Sequence, residues 1–297
     1  VLTEHAFYFA ESPGVGVLGY VRPFDPSNTC NQSASTGETT SFQSSLASSA
    51  GAAYLSSSIN LRAHIYDVTT FNSAWMATMA SGVSSRPVVA YAGAVLGTGV
   101  TPSGTGGAIF TYDNLGVLSW LYPSNLASIG APGGLAIGAG PIAFFGTTLG
   151  PSGGPALMRM QLNGTSPTHS LATGAPVLAT PVIGQDRTLY AVTRPGTIIA
   201  ARSSDLTELW RFDLNLAAAD GGVGQADFDT HPTLDCARSG KTAVSGPGTL
   251  YFLGNANGRA YAVIVDSHGL DPSAPWPKFQ REARNTGNDG TPILACP

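Results

Sequence analysis

Short stretches in which apolar and polar positions alternate recur along this chain, each followed by a turn and an aromatic position. The clearest are Ala63–Asp67 leading to Trp75, Ile109–Asp113 leading to Trp120, Leu157–Gln161 leading to His169, Ile198–Arg202 leading to Trp210, and Ala260–Ile264 running into Asp266. Their last residues lie 46, 48, 41 and 62 positions apart, and the aromatic position follows the first four after 7 or 8 residues. Alternation with period two marks strands. Another strand precedes each unit, as in Pro87–Gly93, Gly134–Gly140 and Pro181–Tyr190.

Four short strands in about 40–50 residues is the arithmetic of one propeller blade. A single blade cannot bury both faces of its sheet, so neighbours must stack around an axis. The expected fold class is therefore all-β, a β-propeller of about six four-stranded blades in one domain spanning residues 1–297. Five blades are visible. His5–Ala10 and Val15–Val21 supply two strands of a sixth, so residues 1–60 read as a divergent N-terminal blade containing a Ser/Thr-rich segment. That segment, Asn31–Asn60, reads either as a loop or as plain surface strands. Residues 271–297 read as a closing tail whose Trp276 and Phe279 are expected to anchor on the N-terminal blade. Trp75, Trp120 and Trp210 read as apolar wedges between blades. His64 and His169 read as packing residues.

The copies Thr188–Val192 with Ile198–Asp213, Gly248–Leu253 with Gly258–Ile264, and the tail Ala274–Gly287 (APWPKFQREARNTG) resemble the PQQ-like, quinoprotein-type repeat family. The resemblance covers about Ser84 to Gly287 and is similar to the bacterial secreted type. It implies the propeller fold. It does not imply the quinone: the Cys-Cys pair, the calcium-binding acidic set and the length for eight blades that mark those enzymes are not found in this sequence. PQQ is therefore not an expected cofactor.

Composition narrows the partners. Charged residues make up 11% and the net charge is −4, with no basic stripe, which argues against nucleic acid. The run from Asn114 to Met158 carries no charge, but Pro123, Pro132, Pro141 and Pro151 break it, so no transmembrane segment is expected. No signal peptide is visible at Val1, as in a mature or truncated chain. Among Cys30, Cys236 and Cys296 three single bridges are possible. Cys236–Cys296 is the expected one because it ties the chain's last segment to an earlier strand; three buried thiols are the alternative. A bridge fits an extracellular, cell-surface or periplasmic location. Asn163–Thr165 and Asn31–Ser33 have the form of glycosylation acceptors.

Candidate chemistry gathers where the first strands of the blades begin. Arg86, Thr180 and His231 each precede a proline there, and Gly133 and Gly134 hold the equivalent place in another blade. The longest insertion enters at the same mouth, carrying Asp220, Asp227, Asp229 and Asp235 around His231. Arg86, Thr180, Asp227 and His231 are the expected ligand-binding residues. Asp227 and Asp229 are candidate ligands for calcium or another divalent metal. His231, Asp229 and Arg86 are the candidate catalytic residues should the mouth be a hydrolase or lyase site. The leading expectation is a binding module for a carbohydrate or protein; the enzyme is the alternative.

Overall fold

The computed structural model describes residues 7–11, 17–21, 47–49, 52–56, 60–66, 71–78, 89–100, 106–123, 129–165, 167–217, 227–255, 258–282, 285 and 290–297. Arg86 and Cys30 lie outside them. Among the described residues the regular structure is β except for one helical turn. A hairpin, β1 (Phe7–Glu11) and β2 (Val17–Val21), comes first. Four successive four-stranded antiparallel sheets follow. The first sheet is β3 (Ala47–Ser49), β4 (Ala52–Ser56), β5 (Asn60–Tyr66) and β6 (Phe71–Thr78). The second is β7 (Val89–Tyr91), β8 (Ala94–Val100), β9 (Gly107–Tyr112) and β10 (Leu118–Tyr122). The third is β11 (Ala136–Gly138), β12 (Ile142–Thr147), β13 (Ala156–Gln161) and β14 (His169–Ala172). The fourth is β15 (Val182–Ile183), β16 (Thr188–Val192), β17 (Thr197–Arg202) and β18 (Glu208–Asp213), followed by one helical turn, α1 (Leu214–Ala217). The fifth sheet has three strands, β19 (Thr233–Asp235), β22 (Gly248–Leu253) and β23 (Ala260–Val265); a small hairpin, β20 (Arg238–Ser239) and β21 (Thr242–Ala243), lies in the connection between the first two.

Within each four-stranded sheet the strands run in sequence order, because tight turns join neighbours antiparallel. Ala92 and Gly93, both at positive φ, make the two-residue turn between β7 and β8. The sheets differ from one-faced antiparallel sheets in burial. β9 and β16 are buried at every residue, since a neighbouring sheet covers each face. First strands are buried too, and β3 lies beside β7 and β11 beside β15. The fourth strands β10 and β18 are the exposed ones. First strands converge, so they carry small side chains: Ala47, Ala90 and Ala136 are fully buried. The Ser/Ala-rich stretch is thus partly inner sheet, with Ala52, Ala53 and Tyr54 of β4 in the core.

Tryptophans of the outer strands join one sheet to the next. Trp75 of β6 stacks on Tyr112 at 6.2 Å, and its indole N–H donates to the Asn114 carbonyl at 3.0 Å. Gly116 passes beneath the same ring at φ +80°, where a Cβ would lie 2.6 Å from it. Trp120 covers Gly164 in the third sheet in the same manner. His169, at the repeat's tryptophan position, does not pack as expected: it is exposed, and its Nδ1 meets the Thr168 hydroxyl at 3.2 Å. Arg211 reaches across from the fourth sheet to the end of β14, donating to the Thr173 and Ala172 carbonyls at 3.1 and 3.0 Å.

The tail turns back into the molecule. Trp276 exchanges backbone hydrogen bonds with Ile137 of β11, at 2.7 and 3.0 Å. Ile183 of β15 donates to Pro277 and accepts from Asp271, and Gln185 donates to Gly269. Trp276, Leu270 and Ala274 are buried. The aromatic anchor of the tail therefore sits on the first strands of the third and fourth sheets, where two short strands leave their outer amides unpaired. Cys236 and Cys296 are bridged as expected, which fastens the chain's end beside β19.

Gly116→Ala is expected to cost about 2–4 kcal/mol, combining the left-handed backbone penalty with collision against Trp75; urea unfolding beside the parent chain measures it. The bridge closes a loop of sequence separation 60. Its reduction is expected to lower stability by about 4 kcal/mol on the chain-entropy account, read as a lower denaturation midpoint in reductant.

Candidate functional site

Two of the expected mouth residues meet directly. The backbone N–H of Thr180 donates to Nδ1 of His231 at 2.9 Å. That nitrogen must be unprotonated to accept, so a neutral ring carries its proton on Nε2. The imidazole also stacks on Phe279 of the tail, centroids 4.3 Å apart and planes 22° from parallel. Gly134 completes the set: a Cβ there would fall 2.1 Å from the Thr180 hydroxyl. Three equivalent blade positions, Gly134, Thr180 and His231, are thus in a row of contacts. The Thr180 hydroxyl itself is buried and has no hydrogen-bond partner among the described residues.

The insertion contributes a second cluster. Asp227, at φ 50°, takes both of its carboxylate oxygens to Arg194, whose Nη2 donates at 2.9 Å and whose Nε is also bonded. The Arg194 hydrogen bonds hold the Asp227 carboxyl below the usual carboxylate range. Asp229 stands 3.9 Å from Arg194 Nε, while its Oδ1 is buried and makes no hydrogen bond among the described residues. Phe228 between them anchors the loop, edge-on to Phe252 and Tyr261 at 5.4 and 5.2 Å, and its N–H donates to the Arg194 carbonyl. Asp235 lies apart from this cluster and pairs with Arg238. Arg86 and Asp220 are outside the described residues. Among the described residues no three His, Cys, Asp or Glu side chains come together as a metal set. Asp227 and Asp229, the proposed metal ligands, are brought to a guanidinium.

Three residues of this mouth escaped the sequence reading. Arg194 sits in an Arg-Pro-Gly turn, a signal for a turn and not for an ion pair. Phe279 was noted only as an apolar anchor. Lys278 is one of two lysines in the chain and is fully buried. Its ammonium donates to the Phe279 and Glu282 carbonyls at 2.7 and 3.2 Å and to Oδ1 of Asn285. Burial pushes its pKa down to about 8, against the pull of Glu282. Among the described residues, a cleft of about 470 Å³ lies beside the disulfide, lined by Leu234, Arg238 and Ile293, and another of about 320 Å³ lies between Arg159, Arg187 and Ser203.

No protein-family model matches this chain, and no curated protein matches it. Among solved structures it is similar to the crystal structure of BamB from Moraxella catarrhalis, with 14% identity, a TM-score of 0.49, and 90% of this chain and 80% of that chain covered. It is also similar to the computationally designed Ika8 protein, with 10% identity, a TM-score of 0.46, and 87% and 80% covered. At these values neither likeness bears on what the chain binds. No helix among the described residues is long and apolar enough to cross a membrane.

Lys278 sets a pH dependence. Unfolded, its pKa is near the ordinary lysine value of 10.5; folded, it is about 8. Between those values the unfolded chain holds a proton that the folded one does not, so stability rises with pH. From about pH 7 to about pH 9.5 the gain is expected to be about 2 kcal/mol. Guanidinium unfolding at the two pH values checks it, and Lys278→Met should remove the difference.

Proposed function

We propose that this chain is a closed β-propeller of about six PQQ-like blades, located outside the cytoplasm, that serves as an interaction module for a protein or a carbohydrate. The observation that carries this reading is the tail. Residues Leu270–Lys278 run along the first strands β11 and β15 with Trp276 and Ala274 buried; in a closed propeller the first strands line the central channel, so this reading has the tail plugging it. Two of the candidate groups there are likewise engaged by neighbours. His231 spends its Nδ1 lone pair on Thr180, and Asp227 spends both oxygens on Arg194. A general base must keep a lone pair available for its substrate.

Surface that remains is a binding surface. Arg194 is half exposed above Asp227, and the outer strands present Met76, Leu118, Leu209 and Phe212 to solvent. Apolar groups in a polar rim suit a protein or glycan partner. The disulfide supports an extracellular or periplasmic site of action. Calcium or another divalent ion at Asp227 and Asp229 would have to displace Arg194, and this reading does without it.

The test is a parallel screen. Purified chain is applied to glycan and peptide panels, and to chromogenic esters, glycosides and polyuronates with and without calcium. Saturable binding that weakens at least tenfold in Arg194→Glu is the expected result, with no turnover on any substrate. Turnover that falls a hundredfold in His231→Ala would establish the hydrolase or lyase instead.

A further inference from the structure

The cleft of about 320 Å³ between the third and fourth sheets carries charge that its own walls do not neutralise. It is lined by Gly138 and Gly140 at the end of β11, Arg159 of β13, Arg187 before β16 and Ser203 after β17. These positions lie at the strand ends opposite Gly134 and Thr180, so the cleft and the mouth occupy opposite ends of the sheets. Arg194, Arg202, Arg211 and Arg238 each pair with a carboxylate; among the described residues Arg159 and Arg187 do not. Arg159 is oriented by neutral groups instead. Its Nε donates to the Ser203 carbonyl at 3.1 Å and its Nη1 to the Thr168 hydroxyl at 2.7 Å. A guanidinium has five N–H donors, so others remain for a ligand. Arg187 stands at φ 63° in the turn, and its carbonyl accepts from Ser203 N–H at 3.0 Å, which fixes the two turns to each other. Glycine suits such a left-handed position best, so an arginine there gives up some backbone stability.

Three acids stand near, and each is already engaged. Asp271 lines the cleft, but it is buried and its Oδ1 accepts from the Ser273 N–H and hydroxyl at 2.8 and 2.6 Å. Asp186, beside Arg187, accepts from Thr188 and Ser267. Asp205 attracts Arg159 from a distance while facing Arg202 at 3.5 Å. The walls thus carry two guanidinium groups against one carboxylate, in a chain whose net charge is −4. The floor is apolar: Phe144 and Ile183 are buried beneath it and Ile142 is half-buried. A Cβ on Gly138 would fall 2.8 Å from the Phe144 ring, so glycine keeps that edge of the cleft low. Planar guanidinium forks match carboxylate oxygens in pairs, and an apolar floor suits a short aliphatic stem behind the charge.

We propose that this cleft binds a carboxylate carried on a short aliphatic stem, with Arg159 and Arg187 taking the oxygens and Ile142 and Ile183 the stem. A glutamate side chain of a protein partner and a free short-chain acid both present that chemistry. The test is an amide NMR titration of the full chain at low ionic strength, where exposed charges are least screened. The probes are pentanoate, N-acetylglutamate α-amide, the neutral pentanamide and galacturonate. Saturable shifts at the amides of Arg187, Ser203 and Ser204 are expected with the first two. Affinity should fall at least tenfold for pentanamide, and at least tenfold for pentanoate in Arg187→Asn, since asparagine tolerates the left-handed turn. Arg159→Lys, which keeps the charge and loses the fork, repeats the measurement should Arg187→Asn fail to fold. Tighter binding of pentanoate than of the glutamate amide assigns a free acid, and the reverse a protein partner; both uphold the site. Galacturonate binding tighter than either, equal binding of pentanamide, binding that survives Arg187→Asn, or no saturation by any probe overturns it. The probes are titrated without any partner, so a failed ligand screen at the mouth leaves this result standing.

Discussion

Backbone pairing between the tail and two first strands is the constraint around which this structure is arranged. β11 and β15 are edge strands of their sheets, so their outward backbone groups have no partner within the sheet. Buried amide and carbonyl groups must find partners, and each one left unmade costs more than an ordinary bond returns. Ile137 and Ile183 find theirs in Trp276, Pro277 and Asp271. The same segment brings Trp276 into the core of the first three sheets and Leu270 into that of the last two. One strand-like tail thus ties separate hydrophobic clusters together.

The mouth inherits its geometry from this arrangement. Because the tail emerges beside His231, Phe279 can lie flat on the imidazole, and Lys278 is held beneath by three oxygen acceptors. A buried ammonium is tolerable only when its donors are met, and here two backbone carbonyls and one amide oxygen meet them. The insertion is tied separately, through Phe228 in the core and Arg194 on Asp227. The polar residues at the mouth are therefore structural members as well as surface. That dual role is why a collection of Asp, His and Arg does not by itself make a catalytic centre.

The repeat was legible in the sequence for a physical reason. Strand alternation and tryptophan wedges are local, repeated features, and each copy reinforces the others. The inner strands were harder to read. Ala47–Ser49 and Ala52–Ser56 look like loop composition, yet they form the first two strands of a sheet and bury Ala47, Ala53 and Tyr54. His169 misled in the opposite direction: its position matched the repeat, but its side chain is exposed, and Arg211 reaches across to the end of β14. The candidate site was legible in part. The phase of Thr180 and His231 before their prolines put them at one mouth, and they are hydrogen-bonded there.

By itself the sequence determined an all-β chain of repeated sheets, its low charge, and the cysteines able to bridge. These follow from composition and from spacings of a few residues, where local geometry decides. Only the tertiary structure decided that the tail joins β11 and β15, that Arg194 claims the carboxylate of Asp227, and that Lys278 is buried. Each of those contacts joins segments that no local period relates, and each is chosen by which buried polar groups remain unpaired once the sheets have stacked.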